Sequence, residues 1–273
     1  MGILHVVSTP IGNLEDITLR AIEVLREVPL IAAEDTRHSR RLLDRIGSTA
    51  QTISFNEHNI SQRIPTLMEH LGDADLALIS DAGTPAIADP GVRLVDAAHE
   101  AGHVVRVVPG ASSVTAAVAG SGLVDGPFAF LGYAPRSAGE RSTVFADHAG
   151  SGIALVLFER GNRLAGTLAS LATALPGRRA AICRELTKVH EETVRGTLDE
   201  LVRRSGNSES RGEIVIVVAG GEPARADPEA VLAALLTSGA SPSAAAKAAA
   251  KESGVPRSEL YRRALEIRAG QPG

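Results

Sequence analysis

The strongest constraint on this chain is the stretch at residues 76–91, LALISDAGTPAIADPG. Its first five residues form an apolar run closing on a serine, short enough for a strand buried on both faces. Asp81 then opens a turn built on Gly83, Pro85, Pro90 and Gly91, and a helical pattern resumes at Val92. A buried strand that stops in a small-residue loop before a helix is where open α/β sheets bind ligands, outside the carboxyl ends of the strands. Gly83 lets a ligand approach the backbone closely. A β–α connection shaped only for packing reads the same way from this stretch alone.

The first half of the chain repeats that pattern. Strand-like runs at 5–9, 30–33, 52–55 and 104–108 alternate with helical patterns after Asp16 and at 37–46, 64–71 and 92–101, which predicts βαβ units and a parallel sheet. The loop after the first strand is Pro10-Ile11-Gly12-Asn13 rather than G-x-G-x-x-G, which argues against an ordinary dinucleotide-binding domain. Arg37, Arg41 and Arg45 fall at i, i+4 and i+8 and make one cationic stripe. A solvated helix face or a phosphate track explains it. The stripe starts directly after Glu34-Asp35, and Asp35 reads as a helix cap or an active-site group. His58 stands out because it lies in a polar loop where a sheet edge ends. Ser112-Ser113 opens a helix whose free N–H groups suit a polar ligand group or a simple cap.

Composition shifts at 120–127, GSGLVDGP, a plausible hinge. Beyond it, strand-like runs at 128–131, 153–158, 180–184, 191–195 and 214–219 mix with helical patterns at 162–175 and 197–204. The less regular alternation predicts a mixed sheet. Residues 205–211 read as a polar loop and 220–227 as a linker. A short helix to 236, an Ala-rich helix at 243–253, a Gly254-Val255 turn and a helix at 256–268 then form a helix-turn-helix-like tail. From Ser243 onward six Lys/Arg stand against three Glu, while the 273-residue chain carries −4. Nucleic-acid contact and a small packing or dimerisation module both fit such a tail.

No apolar run approaches the ~18 residues of a membrane span, and no signal peptide is visible at the start. One cysteine, Cys183, excludes an intramolecular disulfide framework and a Cys-rich zinc site, and no metal is expected. The cytoplasm is the expected compartment. A net charge of −4, 3% aromatics and no Trp argue against a protein that coats nucleic acid or stacks bases on a sheet. Any RNA contact must come from local basic patches.

Five stretches taken together, STPIGNLEDITLRA, IAAEDTRHSRRLL, SDAGTPAIADPG, VVPGASS and RELTKVHEE, resemble in order and spacing the bacterial 16S ribosomal RNA cytidine 2′-O-methyltransferases of the tetrapyrrole-methylase superfamily. The likeness runs from about His5 to Ala219 and on into the helical tail. Two departures stand out: Arg160-Gly161-Asn162 replaces a Ser/Thr-Pro-His-type triplet ahead of Arg163, and Asn56 stands where a second histidine is usual. The resemblance implies an α/β fold of two domains, here 1–122 and 123–222, with a cleft for S-adenosylmethionine between them and a C-terminal helical module over 228–273. It implies that Pro10, Asp81, Ala82, Gly83, Thr84, Pro85, Ser112 and Ser113 line the methionine and ribose side, and that Phe158 and Ala219 wall the adenine. Homodimerisation is expected on the same ground.

The activity so implied moves a methyl group from the sulfonium to a cytidine ribose 2′-hydroxyl in small-subunit rRNA. A dry site poor in anions favours loss of the donor's positive charge, and in-line alignment supplies much of the rate. Asp35 and His58 are the candidate bases, with Lys188 as an alternative proton acceptor or phosphate anchor. Arg37, Arg41, Arg184 and Lys188 are the candidate phosphate contacts. Two other readings stay open: a corrin or precorrin C-methyltransferase, and a non-catalytic rRNA-binding assembly factor.

Overall fold

The computed structural model describes residues 2–206, 212–221 and 227–269; parts of the expected loop and linker, 207–211 and 222–226, lie outside the described residues. The first half contains β1 (Ile3–Val7), α1 (Leu19–Glu27), β2 (Leu30–Ala33), α2 (Thr36–Ile46), β3 (Gln51–Ser54), α3 (Ile60–Asp73), β4 (Leu76–Ile79), α4 (Val92–Glu100) and β5 (Val104–Val108). The strands order as β3-β2-β4-β1-β5, all neighbours parallel. Side chains alternate across a strand, so Leu4, Val6, Leu76 and Leu78 pack with Leu67, Leu71 and Leu94 of α3 and α4. Val7, Ile31, Ala77 and Ile79 pack on the other face with Leu25, Leu42 and Leu43 of α1 and α2. Each fully buried Leu or Ile stabilises by about 1.5–3 kcal/mol. Two covered faces explain why the central strands β2 and β4 are apolar throughout rather than alternating, while the edge strands β3 and β5 stay partly exposed.

α5 (Ser113–Ser121) ends at Gly122 in the left-handed conformation and lays Val114 and Ala117 against Val156, Ala181 and Val215 of a second sheet. That sheet is built from β6 (Phe128–Tyr133), β7 (Ala154–Arg160), β8 (Arg179–Arg184), β9 (Glu192–Thr197) and β10 (Glu213–Val218). Their order is β6-β7-β10-β8-β9; β6 and β7 are parallel and the other pairs antiparallel. The mixed character matches the irregular alternation of the sequence. α6 (Ala138–Asp147), α7 (Leu164–Ala174) and α8 (Leu198–Ser205) accompany the sheet. α6 departs from expectation, because its buried residues are Arg141 and Phe145 and it shows little apolar periodicity.

Both sheets belong to one compact unit, residues 1–145 with 153–220; residues 146–152 with 221–273 form another. The latter contains α9 (Pro228–Thr237), α10 (Pro242–Ser253) and α11 (Arg257–Ala269), which bury Leu232, Leu236, Ala245, Ala249, Leu260 and Ala264 in a small core of their own. Ser241 caps α10 by accepting from the Ala244 N–H, and Gly254 ends it at φ 72°. Among the described residues no helix is long and apolar enough to cross a membrane.

Candidate active site

Strand ends converge on a cleft of about 340 Å³. From the first sheet come Ile11, Glu34, the loop 80–84, Asp89 and the start of α5; from the second come Tyr133, Phe158–Arg160, Cys183, Glu185, Lys188 and the start of β10. The loop after β4 is pinned from beneath. Thr9 and Gly83 exchange backbone hydrogen bonds at 2.9 and 3.1 Å, Thr9 Oγ1 donates to the Ser80 carbonyl at 3.2 Å, and the Ser8 and Thr84 hydroxyls meet at 3.0 Å. Gly83 sits at φ +80°, which side chains rarely adopt, and a Cβ there comes within 3.4 Å of Ile11 Cγ2.

Carboxylates dominate the polar lining. Glu34 Oε2 accepts from the Asp81 N–H at 3.2 Å, and Asp81 Oδ1 accepts from the Asp35 N–H at 3.1 Å. Burial raises the Glu34 carboxyl above its ordinary value; the hydrogen bond from Asp81 opposes this and the Asp81 charge reinforces it. Asp89 Oδ1 accepts from the N–H groups of Ala86 and Gly91 at 2.7 and 2.9 Å, yet burial still raises its pKa.

The second half closes the cleft with aromatic and charged groups. The Phe158 ring meets Tyr133 at 5.3 Å and Phe130 at 4.9 Å, both edge-on. Burial, and then the nearby Glu213, push the Tyr133 hydroxyl up. Behind this wall the buried Glu159 carboxylate pairs with Arg163 at 3.2 Å and accepts from the Thr167 hydroxyl. Arg163 in turn donates to the carbonyls of Ala134 and Pro135, directly after Tyr133.

The loop after β8 crosses to the first half. Glu185 and Thr187 sit at φ 51° and 65°, unusual for residues with a Cβ. Thr187 Oγ1 accepts from the Asn13 N–H at 3.1 Å, and Lys188 Nζ lies 3.2 Å from Glu185 and 3.6 Å from Glu213. Burial opposes ionisation of Glu185, but the Glu213 N–H and Lys188 hold its carboxyl below the ordinary value.

A second cavity of about 770 Å³ adjoins the first and shares Ile11, Ser80, Asp81, Ala82, Lys188 and Glu213 with it. Its other walls include Pro10, Asn13 and the stripe Arg37, Arg41 and Arg45. Arg37 pairs with Asp35 at 2.8 Å and Arg45 pairs with Glu15, while among the described residues Arg41 meets no carboxylate.

Of the residues singled out from sequence, Asp81, Ala82, Gly83, Thr84, Ser112, Ser113, Phe158 and Lys188 line the cleft. Pro10, Arg37 and Arg41 line the second cavity, and Pro85 lines neither. Ala219 is not brought to the cleft. β10 runs antiparallel to β7 with Glu213 opposite Arg160, so the start of β10 reaches the cleft and its end points away. Asp35 is the N-cap of α2: it accepts from the Arg37 N–H at 2.8 Å, and its hydrogen bonds from Arg37 lower its pKa to about 2. His58 is exposed in the loop before α3 and lines neither cavity. Arg184 is paired with Glu192 at 2.7 Å and also lies outside both. The expectation of a site poor in anions is corrected by Glu34, Asp81, Asp89, Glu185 and Glu213. Sequence reading passed over Glu34, Tyr133 and Glu213; for Glu34 the signal was its position at the carboxyl end of β2, beside the residue that was chosen.

The family model of Tetrapyrrole (Corrin/Porphyrin) Methylases matches residues 3–202, and that of the RsmI C-terminal HTH domain matches residues 222–268. The chain is 45% identical over 271 residues to the ribosomal RNA small subunit methyltransferase I of Mesorhizobium japonicum, covering 97% of this chain and 92% of the relative. It is 39% identical to the protein of that name in Synechocystis over 277 residues, covering 98% and 99%. Among solved structures, the methyltransferase CobJ matches with a TM-score of 0.63 at 17% identity, over 81% of this chain and 95% of that one. The uroporphyrin-III C-methyltransferase from Thermus thermophilus complexed with S-adenyl homocysteine matches at 0.56 and 19% identity, over 80% and 97%.

Proposed function

We propose, because this chain belongs to the tetrapyrrole (corrin/porphyrin) methylase family, that it is an S-adenosylmethionine-dependent methyltransferase of small-subunit ribosomal RNA, acting on a cytidine ribose 2′-hydroxyl. The observation that carries this reading is the pair of adjoining cavities. One is lined by carboxylates and aromatic edges, the other by arginines, and Asp81 and Lys188 belong to both.

The cleft residues fit the cofactor. Its cationic end suits a wall that holds Glu34, Asp81 and Asp89, and its adenine suits the apolar surface of Phe158 and Val215. The loop held by Gly83 leaves its backbone open to close approach, where a Cβ is strained. When bound, S-adenosylmethionine supplies an activated methyl group on a positively charged sulfur. The carboxylates favour that charged ground state, so they serve binding, and the rate rests on alignment of acceptor and donor across the shared wall.

Arg37, Arg41 and Arg45 hold the phosphates that flank the acceptor ribose. Lys188 is the one cation at the shared wall among the described residues, and it stabilises negative charge developing on the acceptor oxygen, whose proton passes to solvent water as the C–S bond breaks and the sulfonium becomes a neutral thioether. Asp35, engaged by Arg37, orients α2 rather than taking a proton. A homodimer and a cytoplasmic location complete the reading; the exposed Val104 and Val107 of edge strand β5 support a covered surface there.

The test is methyl transfer from labelled S-adenosylmethionine to 30S subunits from a strain lacking this protein, followed by alkaline hydrolysis. Label in one hydrolysis-resistant dinucleotide containing cytidine supports the assignment. Cofactor binding without label on rRNA turns the reading to a tetrapyrrole acceptor, and absence of cofactor binding removes the enzymatic reading.

A further inference from the structure

The three-helix module of α9, α10 and α11 carries a surface that neither cavity uses. On α11 the buried face is Leu260 and Ala264, both fully covered. Flanking that buried face, Tyr261 and Leu265 are 42% and 44% exposed. At 100° per residue Tyr261, Leu265 and Arg268 lie within one 60° strip, at i, i+4 and i+7, and exposed Arg262 lies beside it. Two carboxylates beside this helix are already taken, while Glu266, exposed on α11 itself, meets no cation among the described residues. Glu229 and Glu259 both pair with Arg263, at 2.7 and 3.0 Å. Among the described residues, Arg262, Arg268 and the exposed pair Lys247 and Lys251 of α10 meet no carboxylate. Arg257 at the start of α11 is held by a neutral partner, the Ser243 hydroxyl at 3.0 Å.

An exposed aromatic among unpaired guanidinium groups is the combination that binds single-stranded nucleic acid, where a base stacks on the ring and phosphates meet the cations. A second copy of the chain fits this surface poorly. Stable interfaces bury ~800 Å² per partner, and here the large exposed apolar side chains among the described residues are one tyrosine and one leucine. Resting on the rRNA reading above, we propose that the Tyr261–Arg262–Leu265–Arg268 face of α11, whose residues line neither cavity, is an RNA-anchoring surface. Tyr261 stacks on an unpaired base, and Arg262 and Arg268 neutralise the flanking phosphates.

The experiment uses the full chain and a fluorescein-labelled single-stranded RNA, with anisotropy read across a salt series, beside methyl transfer to 30S subunits. Arg262→Gln with Arg268→Gln lowers the salt slope by about 0.7 per arginine removed. Tyr261→Ala weakens RNA binding about tenfold and Tyr261→Phe retains it. In the transfer assay the double variant raises KM for 30S subunits and leaves kcat unchanged. Unchanged slope and affinity in the double variant overturn the proposal. So does a Tyr261→Ala protein that loses self-association while holding RNA as tightly as before. A wild-type chain that binds RNA through α11 yet methylates no rRNA sinks the proposed function and leaves this surface standing.

Discussion

Glu34 accepts the backbone N–H of Asp81 at 3.2 Å, so the carboxyl end of β2 holds the loop that follows β4. Burial raises the Glu34 pKa in the folded chain, which means the native state binds that proton more tightly than the unfolded chain does. Stability therefore falls as pH rises from the ordinary carboxylate range through the raised value. Glu34→Gln keeps an acceptor for Asp81 and removes the charge. The variant is expected to equal or exceed wild type in urea stability at pH 7, with the difference gone below the unfolded pKa. Its affinity for S-adenosylmethionine is expected to fall and to lose the weakening that wild type shows as pH drops through the Glu34 titration. Calorimetric titration over a pH series reads both effects; equal affinities at every pH refute the role in cofactor binding.

Asp35 leads to the opposite expectation for catalysis. Its hydrogen bonds from Arg37 hold it ionised down to about pH 2, too acidic for an effective base near neutrality. Loss of a general base costs roughly 10²–10⁴ in rate, whereas Asp35→Asn is expected to keep kcat within about tenfold of wild type. The lowered pKa makes its contribution to stability present above the unfolded value of 3.8 and lost as pH falls towards 2. Acid unfolding followed by circular dichroism should show that loss shrink in the variant.

The cationic stripe was legible in the sequence, but its division of labour was not. Arg37 and Arg45 are engaged by Asp35 and Glu15, and only Arg41 faces the second cavity without a carboxylate among the described residues. Arg41→Gln is expected to weaken RNA binding more than Arg37→Gln or Arg45→Gln, and to lower the salt slope by about one unit. Equal losses from all three show that the ion pairs open on binding.

Strand β2 was readable to the residue because a run buried on both faces carries its own boundaries, and edge strand β5 because Gly102 and Pro109 bracket its apolar run. The mixed order of the second sheet was readable only as a mixture, since pairing partners far apart in sequence leave no local trace. Ala219 shows the cost: the end of an apolar run looks like a site position until antiparallel pairing turns it away. Tyr133 and Glu213 were missed for the same reason, because each reaches the cleft through register, Tyr133 opposite Phe158 and Glu213 opposite Arg160. α6 was hidden because an arginine occupies its buried face. The loop after β4 was legible because small residues at a strand end announce close approach.

Gly12 tests the bridge between the two halves. A Cβ there comes to 2.5 Å from Lys188 Cγ and 3.0 Å from Thr187 Oγ1. Gly12→Ala therefore pushes the loop after β8 away and breaks the hydrogen bond from Asn13 to Thr187. A destabilisation of about 1–3 kcal/mol is expected from such overpacking. kcat should fall further than stability explains, since Lys188 is displaced from the shared wall. A variant with normal kcat places no catalytic weight on Lys188.

Glu159 and Arg163 supply the sharpest test of the cleft wall. The Glu159 carboxylate is fully buried and bound by Arg163 and Thr167, and Arg163 also holds the carbonyls that follow Tyr133. Removing one partner of a fully buried pair typically costs about 3–5 kcal/mol; the Arg163 side chain is 26% exposed and keeps its two carbonyl partners, so a smaller loss is expected here. Glu159→Ala should lower the urea midpoint accordingly, and should weaken cofactor binding because Tyr133 and Phe158 lose their backing. Glu159→Ala with Arg163→Met removes both charges and should recover much of the stability, but not the hold on Ala134 and Pro135. Stability regained without cofactor affinity then assigns Arg163 the placement of the aromatic wall. Recovery of both shows that the pair only neutralises itself.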